Sequence, residues 1–357
     1  MIWIGLICSL GIPIGFLLIS RIPLCADAVQ AEPAKTSVII PARNEERNLP
    51  NLLHSLRSSS EQPQEILVVD DASQDRTADV ARSFGATVIS SQELPAGWTG
   101  KTWACHQGAS LASGDVLFFL DADTYFLPDR YMKLISHYAT HVAPGTPFSV
   151  LPFHVTEKPY EQLSIFFNLL MAMGAGGFGK IGRPKLFGQS LLIARETYEV
   201  SGGHSSVRRS ILENLALSSR LDAIGGRCDC IGGRGVLNIR MFPDGFAQLL
   251  EGWSKAFADG AAESGPRLLV ITIFWISALI GSFLFLLFAP GLWRAYFAIL
   301  YVAFVLQLTW FARQIGNYRF LTCVLYPIPL LFYFFVFGQS LNRRAFQRQV
   351  KWRGRSI

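Results

Sequence analysis

A chain of 357 residues with a net charge of +6 has room for one large domain or two smaller ones, and its core needs no covalent staples. Half of the residues are apolar and only 16% are charged, which argues against an ordinary soluble protein and for a membrane component. The small, unevenly spread charge says little by itself about nucleic acid, and no nucleic-acid partner is expected; the six scattered cysteines imply no disulfide framework. Cys228-Asp-Cys230 lacks a second Cys/His pair at zinc spacing, so no zinc site is expected there.

Residues 2–19 are apolar and uncharged, with Arg21 just behind them. A signal peptide would carry positive charge before its apolar run. The expectation is therefore an uncleaved membrane anchor over 1–22, with the chain behind it in the cytosol. Residues 23–35 read as a linker, and from 36 to 265 the composition is that of an α/β domain. "SVIIPA" (37–42) reads as a strand, and Asn48 is placed to cap a helix whose Leu49, Leu52, Leu53 and Leu56 fall at helical spacing. Further strands lie at 65–70, 86–90 and 115–120, separated by a helix ending at Gly85 and one through "KTWACHQGASLAS". Unbroken apolar strands alternating with helices predict a largely parallel sheet covered on both faces.

Three apolar stretches close the chain, at 268–289, 292–311 and 320–341, before a basic tail at 342–357. Pro290 and Gly291 make the first two a helical hairpin, while Pro327 and Pro329 interrupt the third. Four spans from an outside N-terminus would leave the basic tail outside, against the positive-inside rule. A cytosolic tail, with 320–341 re-entrant or at the interface, resolves the conflict. Residues 160–179, polar at the start and glycine-rich at the end, read as an amphipathic helix at the membrane surface.

Two strands end in acid pairs: Asp70 and Asp71 after "EILVV", Asp121 and Asp123 after "VLFFL". In a parallel sheet the ligand lies beyond the carboxyl ends of the strands, where both pairs stand. Like charges so close need a cation, and a hard divalent ion bridging phosphates supplies one. Neither a phosphate-binding P-loop nor a G-x-G-x-x-G fingerprint is present.

"VIIPARNEE", "VVDDASQDRT" and "FLDADT", in this order, resemble a family 2 glycosyltransferase of the GT-A fold. "GWTGKTWACHQG", "PFHVTEKPYEQLSIFFNLL" and "GGHSSVRRSILENLAL" resemble its carotenoid branch, the likeness running from about 36 to 265. The resemblance implies that Pro41, Asn44, Glu45, Asp70 and Asp71 hold the nucleotide, that Lys101 contacts it, and that Asp121 reaches its ribose. It implies that Asp123 binds Mg²⁺ or Mn²⁺, and that Glu213 stands at the general-base position. The family writes that position E-D, and here Asn214 comes second. Trp253 in "EGWSK" falls where polysaccharide-making relatives have Q-x-x-R-W. The missing arginine puts polymer synthesis in doubt and leaves Lys255 or Arg240 to serve the diphosphate. His204 is open between a metal or acceptor contact and an ordinary loop histidine.

The implied activity is inverting transfer of glucose from UDP-glucose to the carboxylate of a C30 carotenoid acid. It would give a glycosyl ester at the cytoplasmic face of the cell membrane, on a multi-pass protein in contact with membrane lipid and with other carotenoid-pathway enzymes as candidate partners. The alternatives are another lipid acceptor (hopanoid, polyprenyl phosphate or diacylglycerol) and a catalytically silent scaffold of the same fold. An unperturbed carboxyl is ionised at pH 7, so Glu213 is open between removing a proton and orienting acceptor or sugar.

Overall fold

The structure, a computed structural model, describes residues 1–27, 35–174, 177–263, 265–345, 351–352 and 355–356, with side chains described outside 255–264 and 341–357. In chain order the first elements are α1 (Ile2–Leu18), β1 (Thr36–Ala42), α2 (Leu49–Arg57), β2 (Glu65–Asp70), α3 (Thr77–Ser83), β3 (Thr87–Ser90), α4 (Gly100–Leu111) and β4 (Val116–Leu120). Next come β5 (Thr124–Phe126), α5 (Arg130–His141), β6 (Phe148–Leu151), β7 (Phe153–His154), α6 (Ile165–Gly174), β8 (Ser190–Ala194), α7 (Arg195–Ser201) and α8 (Glu213–Ala223). After β9 (Asp229–Gly232) and β10 (Leu237–Ile239), the chain turns helical: α9 (Phe246–Glu263), α10 (Pro266–Phe288), α11 (Gly291–Ile315), α12 (Phe320–Val324) and α13 (Pro327–Ala345).

Two compact units result. One comprises Pro23–His154 and Pro184–Met241 with the final residues; the other comprises Met1–Ile22, Val155–Arg183 and Phe242–Arg348. The single domain expected over 36–265 is thus divided, since 155–183 and 242–265 join the apolar helices. Composition along the chain cannot reveal that, because only tertiary packing assigns these mixed segments. Of the expected linker, residues 28–34 lie outside the described residues, but Leu24 bridges to Gly232 and is not free chain.

The α/β unit holds a seven-stranded sheet in the order β3-β2-β1-β4-β8-β6-β9 and a small one, β5-β10-β7. The strands β1 to β4 pair in parallel, as their sequence predicts. β8 runs antiparallel to both neighbours and makes the sheet mixed. Side chains alternate between two apolar clusters. Val38, Ile40, Ile66, Val68 and Phe118 meet the four leucines of α2 on one face. Ile39, Leu67, Val69, Leu117 and Phe119 meet Ala104 and Cys105 of α4 and Leu217 of α8 on the other. Both faces are covered, so each strand reads as an unbroken apolar run, and each buried leucine contributes roughly 2 kcal/mol. Asn48 occupies the position before α2 but makes no side-chain cap. Its amide donates instead to Glu45 at 2.8 Å.

The order of strands opens a crevice. From β1 the chain steps outward to β2 and β3, then returns to β4 on the other flank, which makes β1/β4 the switch point where such sheets bind ligands. The β1–β4 ladder ends at Ile39–Phe119, whereas β1–β2 pairing continues to Ala42–Asp70. Thr36 and Ala42 accept hydrogen bonds from the β2 side, and Lys35 accepts one from Val116 of β4. Pro41 therefore faces the β4 side beyond the end of that ladder, where its missing N–H forfeits no bond.

In the helical unit, α10 and α11 are long and apolar enough to cross a membrane. α1, at 17 residues, and the apolar part of α13, Pro327–Ser340, are shorter than the ~20 residues a span requires. The third apolar stretch breaks at Leu325, and Pro327 opens α13, the position where a proline's missing donor costs nothing. The amphipathic surface helix expected at 160–179 is instead a 3₁₀ turn, Pro159–Ser164, leading into α6. Ile165, Phe166, Phe167, Asn168 and Leu169 are buried on successive positions around α6, so it is a core helix of this unit. Asn168 finds its polar partner in the Tyr318 hydroxyl; residues 175 and 176 lie outside the described residues.

α1 approaches its neighbours through Gly11 and Gly15, a small-x-x-x-small face. A Cβ on Gly11 would stand 2.4 Å from that of Ala278, and one on Gly15 would stand 2.6 Å from the Gln307 amide. That amide donates to Ile12 O at 2.6 Å and accepts from the Trp275 indole at 3.0 Å. Gly15→Val should cost about 1–3 kcal/mol by overpacking, read as a lower melting temperature of the detergent-solubilised chain. An unchanged melting temperature would refute this close approach.

Candidate active site

The crevice holds a three-residue ion cluster assembled from distant segments. Lys101, in the first turn of α4, places Nζ 2.6 Å from Asp121 Oδ1 and 2.7 Å from Glu213 Oε1. It also donates to Gly188 O at 3.0 Å. Burial alone would depress the ammonium, but Asp121 and then Glu213 outweigh it and hold Lys101 well above the ordinary lysine range. Glu213 is 3% exposed. The cluster depends on three supports. Thr99 caps α4 by accepting from Thr102 N, fixing where Lys101 leaves the helix. Asp121 N donates to Gln189 O at 3.1 Å, tying the end of β4 to the segment before β8. Asn214 Nδ2 donates to Phe187 O at 2.7 Å and locks that same segment.

This last bond explains the departure from E-D. An aspartate at 214 has no N–H to give the Phe187 carbonyl and would add a second buried carboxylate beside Glu213. The sequence marks Asn214 as unusual. It carries no signal for the Gly188 carbonyl, because a main-chain acceptor has no residue type.

The loops after β1 and β2 are fastened to one another. Asn44 sits at φ 53°, a left-handed conformation asparagine tolerates. It receives Gln74 N on its side-chain oxygen at 2.8 Å and gives its own N–H to Ser73 Oγ. Glu45 N donates to Thr77 Oγ1, and Asp70 Oδ1 accepts from Ser73 N. Arg43 donates to Asp71 O and lies 3.7 Å from its carboxylate. Pro41, Asn44, Glu45, Asp70 and Asp71 are therefore gathered at one edge, and Asn44 and Glu45 also build its loops.

Asp123 lies two residues past Asp121 in a tight turn, with Thr124 donating to Asp121 O and Arg240 N to Asp123 O. Among the described residues no group of three or more His, Cys, Asp or Glu is poised for an ion. A Mg²⁺-type cation needs only one or two protein carboxylates, with phosphates and water completing its shell. Asp121 is engaged by Lys101, so Asp123 alone meets that demand, and it would not form a closed protein cage.

His204 and Trp253 are held by partners outside the ion cluster. His204 is 1% exposed, hydrogen-bonded through Nδ1 to the Tyr198 hydroxyl at 2.9 Å, with its ring against Phe119. Burial pushes its imidazole down to about 3, aided by Lys101, so it is a neutral core histidine. Trp253 belongs to the helical unit, where its N–H bonds Ser164 Oγ at 3.0 Å and its ring stacks on Phe167 at 4.6 Å. The Lys255 side chain lies outside the described residues.

Known proteins share this construction. The model of glycosyl transferase family 2 matches residues 37–216. The 4,4'-diaponeurosporenoate glycosyltransferase of Staphylococcus aureus (strain USA300) is 34% identical over 329 residues, covering 89% of this chain and 87% of that protein. Mannosyltransferase PcManGT from Pyrobaculum calidifontis, solved with GDP-Man and Mn²⁺, superposes with a TM-score of 0.58 at 15% identity, over 97% of this chain and 100% of that one. The likeness to that structure establishes the GT-A fold, and the family match with the near full-length relative establishes more: this chain is a family 2 glycosyltransferase.

Proposed function

We propose that the protein transfers glucose from UDP-glucose to the carboxylate of a C30 carotenoid acid at the cytoplasmic face of a membrane. The observation that carries this reading is the 34% identity over 329 residues to a relative named for a carotenoid acid. An alcohol acceptor needs a general base to take its proton. A carboxylic acid, with an unperturbed pKa of about 4, needs none at neutral pH. The acceptor oxygen attacks C1 of glucose, the bond from C1 to the diphosphate oxygen breaks, and UDP leaves with the electron pair. The identity to a relative named for a carotenoid acid supports the acceptor class.

Within this reading the loops of Pro41, Asn44, Glu45, Asp70 and Asp71 hold the nucleotide. Lys101 keeps Asp121 and Glu213 in register at its sugar end, and Asp123 would hold Mg²⁺ or Mn²⁺. A bound divalent ion would supply neutralising charge to the departing diphosphate. Trp253 as a sugar contact is part of the proposal on resemblance alone.

The test is a product assay. Membranes carrying the protein, given labelled UDP-glucose and a C30 carotenoid acid, should yield a glucosyl ester identified by mass and by its lability to mild alkali. Absence of the ester alongside transfer to a hopanoid, polyprenyl phosphate or diacylglycerol would replace the acceptor. Release of UDP separates any transferase from a silent scaffold.

Proton demand gives a sharper expectation. With the acid acceptor, Glu213→Gln should retain activity within about tenfold, whereas loss of a general base costs about 10²- to 10⁴-fold. The wild-type rate should be flat above pH 6 and fall as the acceptor protonates near its pKa of about 4–5. A loss beyond a hundredfold in Glu213→Gln would restore a proton-abstracting role and point to an alcohol.

A further inference from the structure

An anionic acceptor meets an electrostatic obstacle in this crevice. Asp70, Asp71, Asp121, Asp123 and Glu213 stand at one sheet edge, while Arg43 and Lys101 are cations already facing carboxylates there. Bringing in a further carboxylate requires positive charge on the acceptor's side.

The turn before α8 supplies it. Arg208 and Arg209 are exposed, and neither guanidinium has an ion pair or hydrogen bond among the described residues. Two adjacent surface arginines are usually just a solvated face, but this turn is fixed to the active site's framework. Arg208 O accepts from Thr99 N and from Thr102 Oγ1, both at 2.9 Å, so the turn is fastened to the capped start of α4, flanking Lys101 in sequence. Glu213 lies four residues beyond Arg209. The Arg209 guanidinium lies over Gly97, where a Cβ would stand 3.3 Å from Nε; Gly97 has φ +81°, so a side chain there would be disfavoured on both counts.

Directly after Gly97 comes an aromatic wall. The Trp98 ring lies 5.0 Å from that of Trp103 and 5.1 Å from that of His106, and all three are half-buried. Burial depresses the His106 imidazole, so the wall is uncharged at neutral pH. Cationic groups beside an uncharged aromatic surface match a molecule with a carboxylate at the end of a conjugated chain.

The geometry points to an acceptor subsite in which Arg208 and Arg209 hold the acceptor's carboxylate and the Trp98–Trp103–His106 rings flank its apolar chain. It rests on the carboxylate-acceptor reading above and names the residues that select for it. A charge-assisted hydrogen bond is worth about a tenfold to hundredfold change in affinity. The alcohol of the same chain gains nothing from the arginines and should bind more weakly by that factor.

The test uses the full chain in detergent with all-trans-retinoic acid and retinol, polyenes that differ at the head group and absorb where tryptophan emits. Quenching titrations on wild type should show the acid binding at least about tenfold tighter than the alcohol. The double variant Arg208→Ala/Arg209→Ala should lose this preference, and Arg209→Lys should keep part of it. Trp98→Ala should weaken acid and alcohol alike. Unaltered UDP affinity in each variant shows that the fold is intact. Equal binding of acid and alcohol by wild type, or an acid preference surviving in the double variant, overturns the subsite. A wild type that shows the preference yet esterifies no carotenoid acid leaves the subsite standing and removes the proposed reaction.

Discussion

Lys101→Met should reduce sugar transfer by at least about a thousandfold and also destabilise the α/β unit. The ammonium stands 2.6 Å from Asp121 and 2.7 Å from Glu213, so its removal leaves two carboxylates within about two hydrogen-bond lengths of each other with no cation between them. Removing one partner of a mostly buried ion pair typically costs about 3–5 kcal/mol; the partial exposure of Lys101 and Asp121, 29% and 27%, argues for the lower end. A double variant, Lys101→Met/Glu213→Gln, removes one of the two charges and should recover much of the lost stability without recovering activity. Thermal melts of both variants, with turnover measured alongside, decide the matter. A Lys101→Met protein as stable and active as wild type would mean that the cluster organises nothing.

Only part of such a cluster is legible in the sequence. The four parallel strands can be read because both their faces are buried, which makes them short unbroken apolar runs, and the acid pairs at their ends mark the ligand edge. Lys101 is visible too, though as a contact for the nucleotide; in the structure its ammonium joins Asp121 to Glu213. Nothing local to "GWTGK" can show that, since the partners come from positions 121, 188 and 213. Asn48 is the reverse case. It is a correct helix-start residue by type, but its backbone is already helical (φ −92°, ψ −41°), so its side-chain oxygen caps no N–H of α2. The surface-helix expectation for α6 fails because hydrophobic patterning describes one helix against one environment, whereas neighbours bury Ile165 to Leu169 all around its first turn.

Asp123→Ala should abolish transfer, by at least about a thousandfold, while leaving the fold intact. The reason is the position of the carboxylate more than its charge. Asp121 is already engaged by Lys101 at 2.6 Å, so carrying a divalent ion to the diphosphate falls to Asp123, two residues on in the same turn. Lewis-acid assistance is worth several kcal/mol of transition-state stabilisation, and about 4 kcal/mol corresponds to three powers of ten in rate. Asp121→Ala should differ in kind: it removes a partner of Lys101 and should raise KM for UDP-glucose more than it lowers kcat. The measurements are steady-state kinetics of both variants, with chelator and with Mg²⁺ or Mn²⁺ restored. Wild type should lose activity to the chelator and regain it with the ion, and Asp123→Ala should respond to neither. Asp123→Ala turning over at the wild-type rate in chelator would take the ion away from this turn altogether.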